Sequence, residues 1–322
     1  MATNTTLSTA TDAYFNVGYY DRKLLETAKT RLVHAAFGQK RPIPKNNGKH
    51  AEFRRYELFT PDATALELTE GVTPDGQSLE QSHVEATVKQ YGAYVEVSDL
   101  VDLTAFDPVL DDSAELLGEQ LGTVVEWVTR DAMCAGSNVQ YAGGKTARAS
   151  VTASDKLSVT EIRKAVRTLK KAKARMFVKS PEGQARKPHF VCICSPDATF
   201  DLQNDTLWQD VSKYANVEQI YSGEIGRLFG VVFVESTEAK VYTAAGASSV
   251  DVHATLVFGA DAYGVVDVAG SGAVQSIIKP LGSAGTDDPL NQRATVGAKV
   301  MAYAATILND LWLVRIEHAV SI

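Results

Sequence analysis

The sequence lacks three features that would place it in familiar protein classes. No apolar run approaches the roughly 18–20 residues of a membrane-spanning helix, so no such span is predicted. The first 20 residues contain neither a basic start nor an apolar block, and a secretory signal is therefore not expected. Three cysteines in 322 residues do not make a disulfide framework, which favours a reducing compartment such as a bacterial cytoplasm.

An excess of positive charge is also missing. The chain has 32 Lys and Arg against 39 Asp and Glu, a formal net charge of −7. A surface built throughout to bind nucleic acid or an anionic membrane needs net Lys and Arg, so both classes are excluded, although local patches stay open. The apolar content of 45% is ordinary for a globular protein, and the length suffices for one large domain or two ordinary ones.

Enzyme motifs are incomplete wherever a fragment of one occurs. The stretch VQYAGGKT ends like a nucleotide-binding loop, but Val139 stands where that loop needs glycine, and GEIGRLFG lacks the GxGxxG spacing. Neither GxSxG nor HExxH occurs. His189, Cys192 and Cys194 lack the second ligand pair of a zinc site, which favours core thiols. We therefore predict no catalytic residues, no cofactor and no metal, and the protein is not expected to be an enzyme.

The patterns that are present predict an α+β fold with much antiparallel sheet. A helix of about 27 residues is expected from Asp107, which caps it ahead of Pro108, to about Ala135. Ser158 and Glu161 form a capping box for a second helix, and Ser195 and Pro196 open a third. Strands are predicted in HFVCICS, LFGVVFVES, HATLVFG, AYGVVDV and AVQSIIKP, followed by a terminal hairpin that turns at Asn309 and Asp310.

An unusually long polar segment connects two predicted strands, at residues 50–59 and 84–97. The connection has 24 residues, among them ELTEGVTPDG, whereas tight hairpins use two to five. In the returning strand the apolar side chains change from even to odd positions around Gln90 and Gly92. The change indicates that the strand leaves an outlying hairpin and joins the main sheet there.

Charges are segregated along the chain. Residues 90–129 contain nine acids and no Lys or Arg, and residues 163–187 contain ten bases against Glu182 alone. Three interpretations stay open: two solvated helix faces, acidic and basic surfaces that meet across subunits, or a basic helix that faces DNA. The candidate surface residues are Asp111, Asp112, Glu115, Glu119, Lys170, Lys171 and Lys173.

Together these features resemble the Hong Kong 97-type fold of tailed-phage major capsid proteins, and most closely the phage N-four-like capsid family. The resemblance spans most of residues 32–317. It is carried by LVHAAFGQKRPIPKNNGKHAEFRRY, LTEGVTPDG, VKQYGAYVEVSD, YSGEIGRLFGVVFVES, LVFGADAYGVV and DPLNQRATVGAKVMAYAATILNDLWLVRIE.

The resemblance implies a division of the chain. Residues 1–47 would be an N-terminal arm, 48–98 an extended loop, 99–188 and 289–322 a peripheral domain with the long helix as its spine, and 189–288 an axial domain. The loop would find its missing core on an adjacent subunit. Its contact residues would be Arg54, Arg55, Leu66, Glu67, Leu68, Glu70, Val72 and Leu79.

The implied function is structural. Copies of the chain would assemble into hexameric and pentameric capsomers and an icosahedral shell, made in the host bacterial cytoplasm, around double-stranded DNA contacted without sequence specificity. Scaffolding, portal and decoration proteins are further possible partners, and no membrane is involved. Two alternatives stay open: a soluble homo-oligomeric enzyme with an arm-exchanging hairpin, and a minor tail or decoration component of the virion.

Overall fold

The computed structural model describes residues 33–44, 46, 48–56, 59, 61–63, 66–68, 70, 76–100, 109–179, 185–209, 224–267, 275–283 and 288–321. The helices are α1 (Val33–Ala36), α2 (Val109–Cys134), α3 (Val159–Lys171) and α4 (Pro196–Gln203). The strands are β1 (Gln39–Lys40), β2 (His50–Tyr56), β3 (Gln81–Thr87), β4 (Lys89–Ser98), β5 (Val139–Tyr141), β6 (Phe177–Lys179), β7 (Ala185–Cys194), β8 (Glu224–Leu228), β9 (Val231–Glu235), β10 (Val241–Tyr242), β11 (Val252–Phe258), β12 (Tyr263–Asp267), β13 (Gln275–Lys279), β14 (Arg293–Ile307) and β15 (Leu313–His318).

The first sheet has five strands and carries the long helix. Its order is β1-β12-β14-β13, and β4 also pairs with β14. Helix α2 has 26 residues, close to the predicted length, although the predicted cap at Asp107 lies outside the described residues. The predicted apolar face of the helix is buried against this sheet, as Ala114, Leu117, Leu121, Val125, Val296, Ala298 and Val300 show.

The second sheet has eight strands and two helices on one of its faces. The order β5-β15-β11-β7-β9-β8 is extended by β10, which pairs with β11, and by β6, which pairs with β7. Both predicted N-terminal caps are present: the Ser158 hydroxyl accepts a bond from the Glu161 amide at 3.4 Å, and the Ser195 hydroxyl accepts one from the Ala198 amide at 3.2 Å. The Glu161 carboxylate accepts bonds from Gln140 and Lys164, so only the serine half of the predicted capping box is observed. Helices α3 and α4 thereby begin where their apolar faces can pack on the sheet.

The predicted terminal hairpin is wrong. Strands β14 and β15 do flank a turn in which the Asn309 side chain accepts a bond from the Leu311 amide, but they enter different sheets. Along β14 the burial alternates from Ala294 to Val300, whereas every residue of β15 is buried. A strand buried on both faces belongs inside a covered sheet, so β15 pairs with β11 and β5 rather than with its neighbour in sequence.

The change of side in the returning strand is confirmed. Val84 and Ala86 point inward in β3, and Tyr91, Ala93, Val95 and Val97 point inward in β4. The two strands are separated at Val88, whose amide donates to the Lys49 carbonyl at 3.0 Å. Strand β3 pairs only with β2 among the described strands, and β4 pairs with β14, so the chain passes here from the hairpin into the five-stranded sheet.

The domain boundaries stay a prediction. The strands do not follow them strictly: β12 and β13, from the segment assigned to the axial domain, pair with β14 of the segment assigned to the peripheral domain.

Within the described part of the chain, no helix is both long enough and apolar enough to cross a membrane.

Candidate assembly surfaces

The base of the extended hairpin is covered by its own chain. Strands β2 and β3 pair in register from His50 with Thr87 to Tyr56 with Gln81. Phe53 packs so closely on β12 that a Cβ atom added at Gly264 would lie 2.6 Å from its ring. Glycine at 264 therefore allows the hairpin to lie on the sheet. Ala51 and Ala86 complete this small core with Val266 and Ala304.

Beyond the base, the described apolar side chains of the loop lie in solvent. Tyr56 is 63% exposed, Leu66 54%, Leu68 71% and Leu79 60%. Single exposed apolar residues are ordinary, whereas several large ones on one segment are typical of interaction surfaces in general. Three of the predicted contact residues, Leu66, Leu68 and Leu79, are thus exposed in the loop, and Val72 lies outside the described residues.

The polar contact candidates of the loop are also exposed. Glu67 and Glu70 lie in the distal segment. Arg54 donates to Glu52 at 2.6 Å, which lowers the pKa of that carboxyl group, and Arg55 donates to the Ser82 hydroxyl at 3.1 Å. These bonds hold the two arginine side chains along the hairpin. Because the Arg54–Glu52 ion pair is exposed, it contributes little to stability.

The acidic surface on α2 is narrower than the sequence suggests. Glu115 is exposed and Glu119 is partly exposed, while the side chains of Asp111 and Asp112 lie outside the described set. Glu126, one of the nine acids of this stretch, is completely buried and therefore does not contribute to a surface. Its spacing to Thr129 and Met133, both buried, follows the inward helical stripe, which is the sequence signal that identifies it.

Glu126 instead attaches the segment before the hairpin to the spine helix. Both of its carboxylate oxygens accept a bond from the His34 amide at 3.2 Å, and Oε1 lies 2.5 Å from His34 Nδ1. The Tyr263 hydroxyl donates to the His34 carbonyl, and burial raises the pKa of this tyrosine. Single-residue reasoning missed the cluster because a lone His and a lone Glu 92 positions apart carry no spacing signal.

The three lysines predicted to form a basic surface lie at the end of α3 and just after it. Lys170, Lys171 and Lys173 all face solvent. A groove of about 460 Å³ lies beside α3. It is lined by Arg163, Arg167, Lys170 and Lys171, with Phe229 on one side. The Arg163 guanidinium lies 5.1 Å from the Phe229 ring centroid, a cation–π contact. Phe229 has a φ of 49° in the two-residue turn between β8 and β9, where glycine or asparagine is usual.

The fragments of enzyme motifs have structural roles. Cys192 and Cys194 are buried free thiols in β7, as predicted, and burial raises the pKa of Cys192. Gly143 and Gly144 of the GKT stretch have φ values of 65° and 70° in a turn. In the part of the chain that the structure describes, no group of three His, Cys, Asp or Glu residues could hold a metal ion.

A buried ion network ties the C-terminal strand to the loop after β5. Arg148 donates to both oxygens of Glu317 at 2.7 Å, and Arg315 donates to Oε1 of the same carboxylate at 2.8 Å. The bond to Glu317 raises the pKa of Arg148, whose guanidinium also lies 3.5 Å from the Tyr242 ring centroid. The network supports the fold and exposes no reactive group.

Comparisons with known proteins agree with this architecture. A family model described as phage capsid protein matches residues 128–282. The capsid of Ralstonia phage GP4 matches with 15% identity over 90% of this chain and 88% of that chain, at a TM-score of 0.69. The cyanophage Pam1 capsid matches with 16% identity over 90% and 93%, at 0.66, and the cyanophage P-SCSP1u capsid with 14% over 88% and 87%, at 0.62. No curated protein sequence matches.

Proposed function

We propose that this chain, which has the Hong Kong 97-type fold of phage capsid proteins, is a major capsid protein whose copies assemble into the shell of a virion. The observation that carries the proposal is the extent of the structural match, about nine-tenths of this chain and of each of two capsid chains. A shared small domain would not cover both partners so completely. An enzyme or a minor virion component is not favoured by these matches.

The mechanism is self-assembly. The exposed apolar side chains of the loop, Leu66, Leu68 and Leu79, lose water contact only when another molecule covers them. Covering each of them would stabilise a contact by about 1.5–3 kcal/mol before the entropy cost of ordering the loop. A closed shell repeats such a contact once per subunit, so weak individual contacts add up to a stable particle.

The finer assembly scheme belongs to the same proposal. Capsomers of five and six copies close the shell, formed in the host bacterial cytoplasm around double-stranded DNA, with scaffolding, portal and decoration proteins as candidate partners. Contact with DNA does not depend on the DNA sequence, because basic side chains such as Lys170 and Lys171 on α3 attract the phosphate backbone. The protein as a whole has a net charge of −7. The acidic balance limits how tightly the genome adheres to the wall.

The regions take corresponding roles in this scheme. We assign residues 1–47 to the arm, 48–98 to the loop, 99–188 and 289–322 to the peripheral domain, and 189–288 to the axial domain. The supporting feature is the hairpin, which projects from the five-stranded sheet at Val88 and leaves its distal side chains uncovered.

Electron microscopy of the purified full-length protein tests the function directly. We expect capsomers, shells or tubes in negative stain, and the protein must dominate the mass of the virion that contains it. A small closed oligomer with catalytic turnover would contradict the proposal. A low copy number in purified particles would indicate the minor component instead.

A further inference from the structure

The groove beside α3 carries a row of positive charges. Arg163, Arg167, Lys170 and Lys171 line it, and all four side chains are exposed. Their spacing places them on one face of the helix, over a rise of about 12 Å from the first to the last. The opposite stripe of α3 is apolar and packs on the eight-stranded sheet. The cations therefore follow the helix as a line that faces solvent.

The charges of this row are not compensated within the described part of the chain. None of the four side chains forms a salt bridge with a described carboxylate, and the one acid of α3, Glu161, pairs with Lys164 at 2.8 Å. The helix dipole favours Lys170 and Lys171 because they lie in the last turn. It does not account for Arg163, which lies near the start of the helix. An anionic ligand would compensate the whole row.

An exposed aromatic ring flanks the row in a strained turn. Phe229 and Gly230 form the two-residue connection between β8 and β9, with φ values of 49° and 78°. A bulky residue with positive φ is uncommon because its Cβ crowds the backbone, and Asn-Gly is the usual pair in such a turn. The Phe229 side chain is 47% exposed, so burial does not offset the strain. Strain of this kind is typical of ligand-binding positions.

The ring and the row of cations together match one class of anion. The Arg163 guanidinium lies 5.1 Å from the Phe229 ring centroid, so the ring lies beside the charges. Proteins bind single-stranded nucleic acid by placing phosphates along cations and by stacking bases on aromatic rings. The bases of a duplex are already stacked on each other, and a duplex would use the cations alone. An exposed ring therefore favours an unpaired strand.

We propose that the groove beside α3 binds an unpaired stretch of nucleic acid, whose phosphates lie along the four cations and one of whose bases stacks on Phe229. The inference rests on the proposed function and deepens it, because it names the form of nucleic acid that this basic surface takes. A duplex is held at the surface by charge alone, whereas an unpaired strand gains the stacking contact as well.

Fluorescence anisotropy with the unassembled full-length protein tests the stacking contact. The probes are a labelled strand of about 12 thymidine nucleotides and a duplex that contains the same number of phosphates. Phe229→Asn should weaken binding of the single strand about tenfold and leave binding of the duplex unchanged. Asparagine suits the turn, so the melting temperature should not fall. Phe229→Tyr keeps an aromatic ring and should retain the affinity.

A matched control is available on the neighbouring helix. Phe200 of α4 is 60% exposed and does not line the groove. Phe200→Asn should change the affinity for neither probe. Equal weakening by Phe200→Asn and Phe229→Asn would contradict a specific stacking site.

Salt dependence provides an independent readout of the phosphate contacts. Each phosphate contact on a single strand contributes about 0.7 to the slope of log affinity against log salt concentration. Replacing both Lys170 and Lys171 by Ala should therefore reduce the magnitude of the slope by about 1.4. Replacing Lys279 and Lys299, which lie on the five-stranded sheet, should leave it unchanged. Phe229→Asn should also keep the slope, since it removes no charge.

Each other result has a definite meaning. The proposal is overturned if the unmodified protein does not bind the single strand, or if Phe229→Asn affects the single strand and the duplex alike. Displacement of the strand by polyglutamate as readily as by unlabelled thymidine strand would indicate a site for acidic protein and also overturns it. All of these results are independent of assembly. Failure of the unmodified protein to form any capsomer, shell or tube contradicts the proposed function itself.

Discussion

At the scale of single residues, buried polar groups join segments that are distant in sequence. Glu126 accepts a hydrogen bond from the His34 amide and also contacts the His34 ring. Glu317 accepts hydrogen bonds from Arg148 and Arg315. Such groups require their partners, because a buried donor or acceptor left alone costs about 1–3 kcal/mol. These contacts consequently hold the segment around His34 and the C-terminal strand in place.

Replacing Glu126 tests its role in holding the segment around His34. Glu126→Ala leaves the His34 amide without its acceptor, and we expect the free energy of unfolding to fall by about 3 kcal/mol. Glu126→Gln preserves the shape and should cost less. The measurement is denaturant unfolding of the unassembled subunit, with Glu115→Ala on the exposed face of the same helix as the control, expected to change stability by less than about 0.5 kcal/mol. Equal effects of the two alanine variants would contradict the assignment.

His318 gives the stability a dependence on pH. Burial lowers its pKa to about 4, and its ring nitrogens bond to the Thr255 hydroxyl at 2.8 Å and the Ala319 carbonyl at 2.9 Å. The ring of His253, whose pKa burial also lowers, lies 6.2 Å away, and Asp201 is the nearby acid. Between pH 6.5 and about 4 the unfolded chain binds more protons at this site than the folded chain.

The unfolding free energy should therefore fall as the pH is lowered through that window. From pH 7.5 to pH 5 the expected contribution of His318 is about 2 kcal/mol, measured by denaturant unfolding at both values. His318→Gln should reduce the difference, while His83→Gln, which replaces an exposed histidine, should leave it unchanged. Identical pH profiles for all three proteins would exclude His318 as the cause.

At the scale of secondary-structure elements, local sequence determines where a helix or strand forms, whereas distant segments determine which strands pair. The spine helix, the capped helices and most strands follow from periodicity and capping residues, which act within a few positions. The terminal strands β14 and β15 are the exception: the turn at Asn309 is locally correct, but full burial of β15 sends it into the other sheet. Periodicity reports how many faces of a strand are covered and does not report which strand lies beside it.

The hairpin is the element whose removal is most informative. Deleting residues 62–80 leaves the paired strands β2 and β3 joined by residues 57–61, a five-residue connection that a hairpin tolerates. The covered base with Phe53 is unaffected, so we expect a folded subunit that no longer forms shells. Circular dichroism checks the fold and negative-stain microscopy checks assembly. Normal shells from the deletion would refute the role of the loop.

At the scale of the whole molecule, the distribution of charge matters more than its sum. Helix α3 packs on one face of the eight-stranded sheet, whereas the core around α2 includes side chains from the opposite face of that sheet, such as Val191 and Ile193. The sheet therefore lies between the bases of α3 and the helix that carries the acids. Whether they meet, or whether both face solvent, is a property of the particle rather than of the subunit.

Charge reversal distinguishes these interpretations. Changing Asp111, Asp112 and Glu115 to Lys should block or misdirect assembly at low salt, and neutral replacement by Asn and Gln should have a smaller effect. The defect should weaken at about 1 M salt, where the Debye length is about 3 Å. Particle yield by sedimentation is the measurement, and an unchanged yield would favour solvated faces.

The amino-acid sequence by itself determined the long helix, the two capped helices, most of the longer strands, the change of side around Gln90 and Gly92, and the presence of a long polar loop. It also carried the resemblance to phage capsid proteins, because all of these are written in local spacing and in motifs. The tertiary structure alone decided that Glu126 is a buried anchor, that β15 leaves β14, and that Tyr94 and Ile277 lie on either side of Gly297. The physical reason is that burial and strand pairing depend on residues as many as 229 positions apart, the separation of His34 from Tyr263.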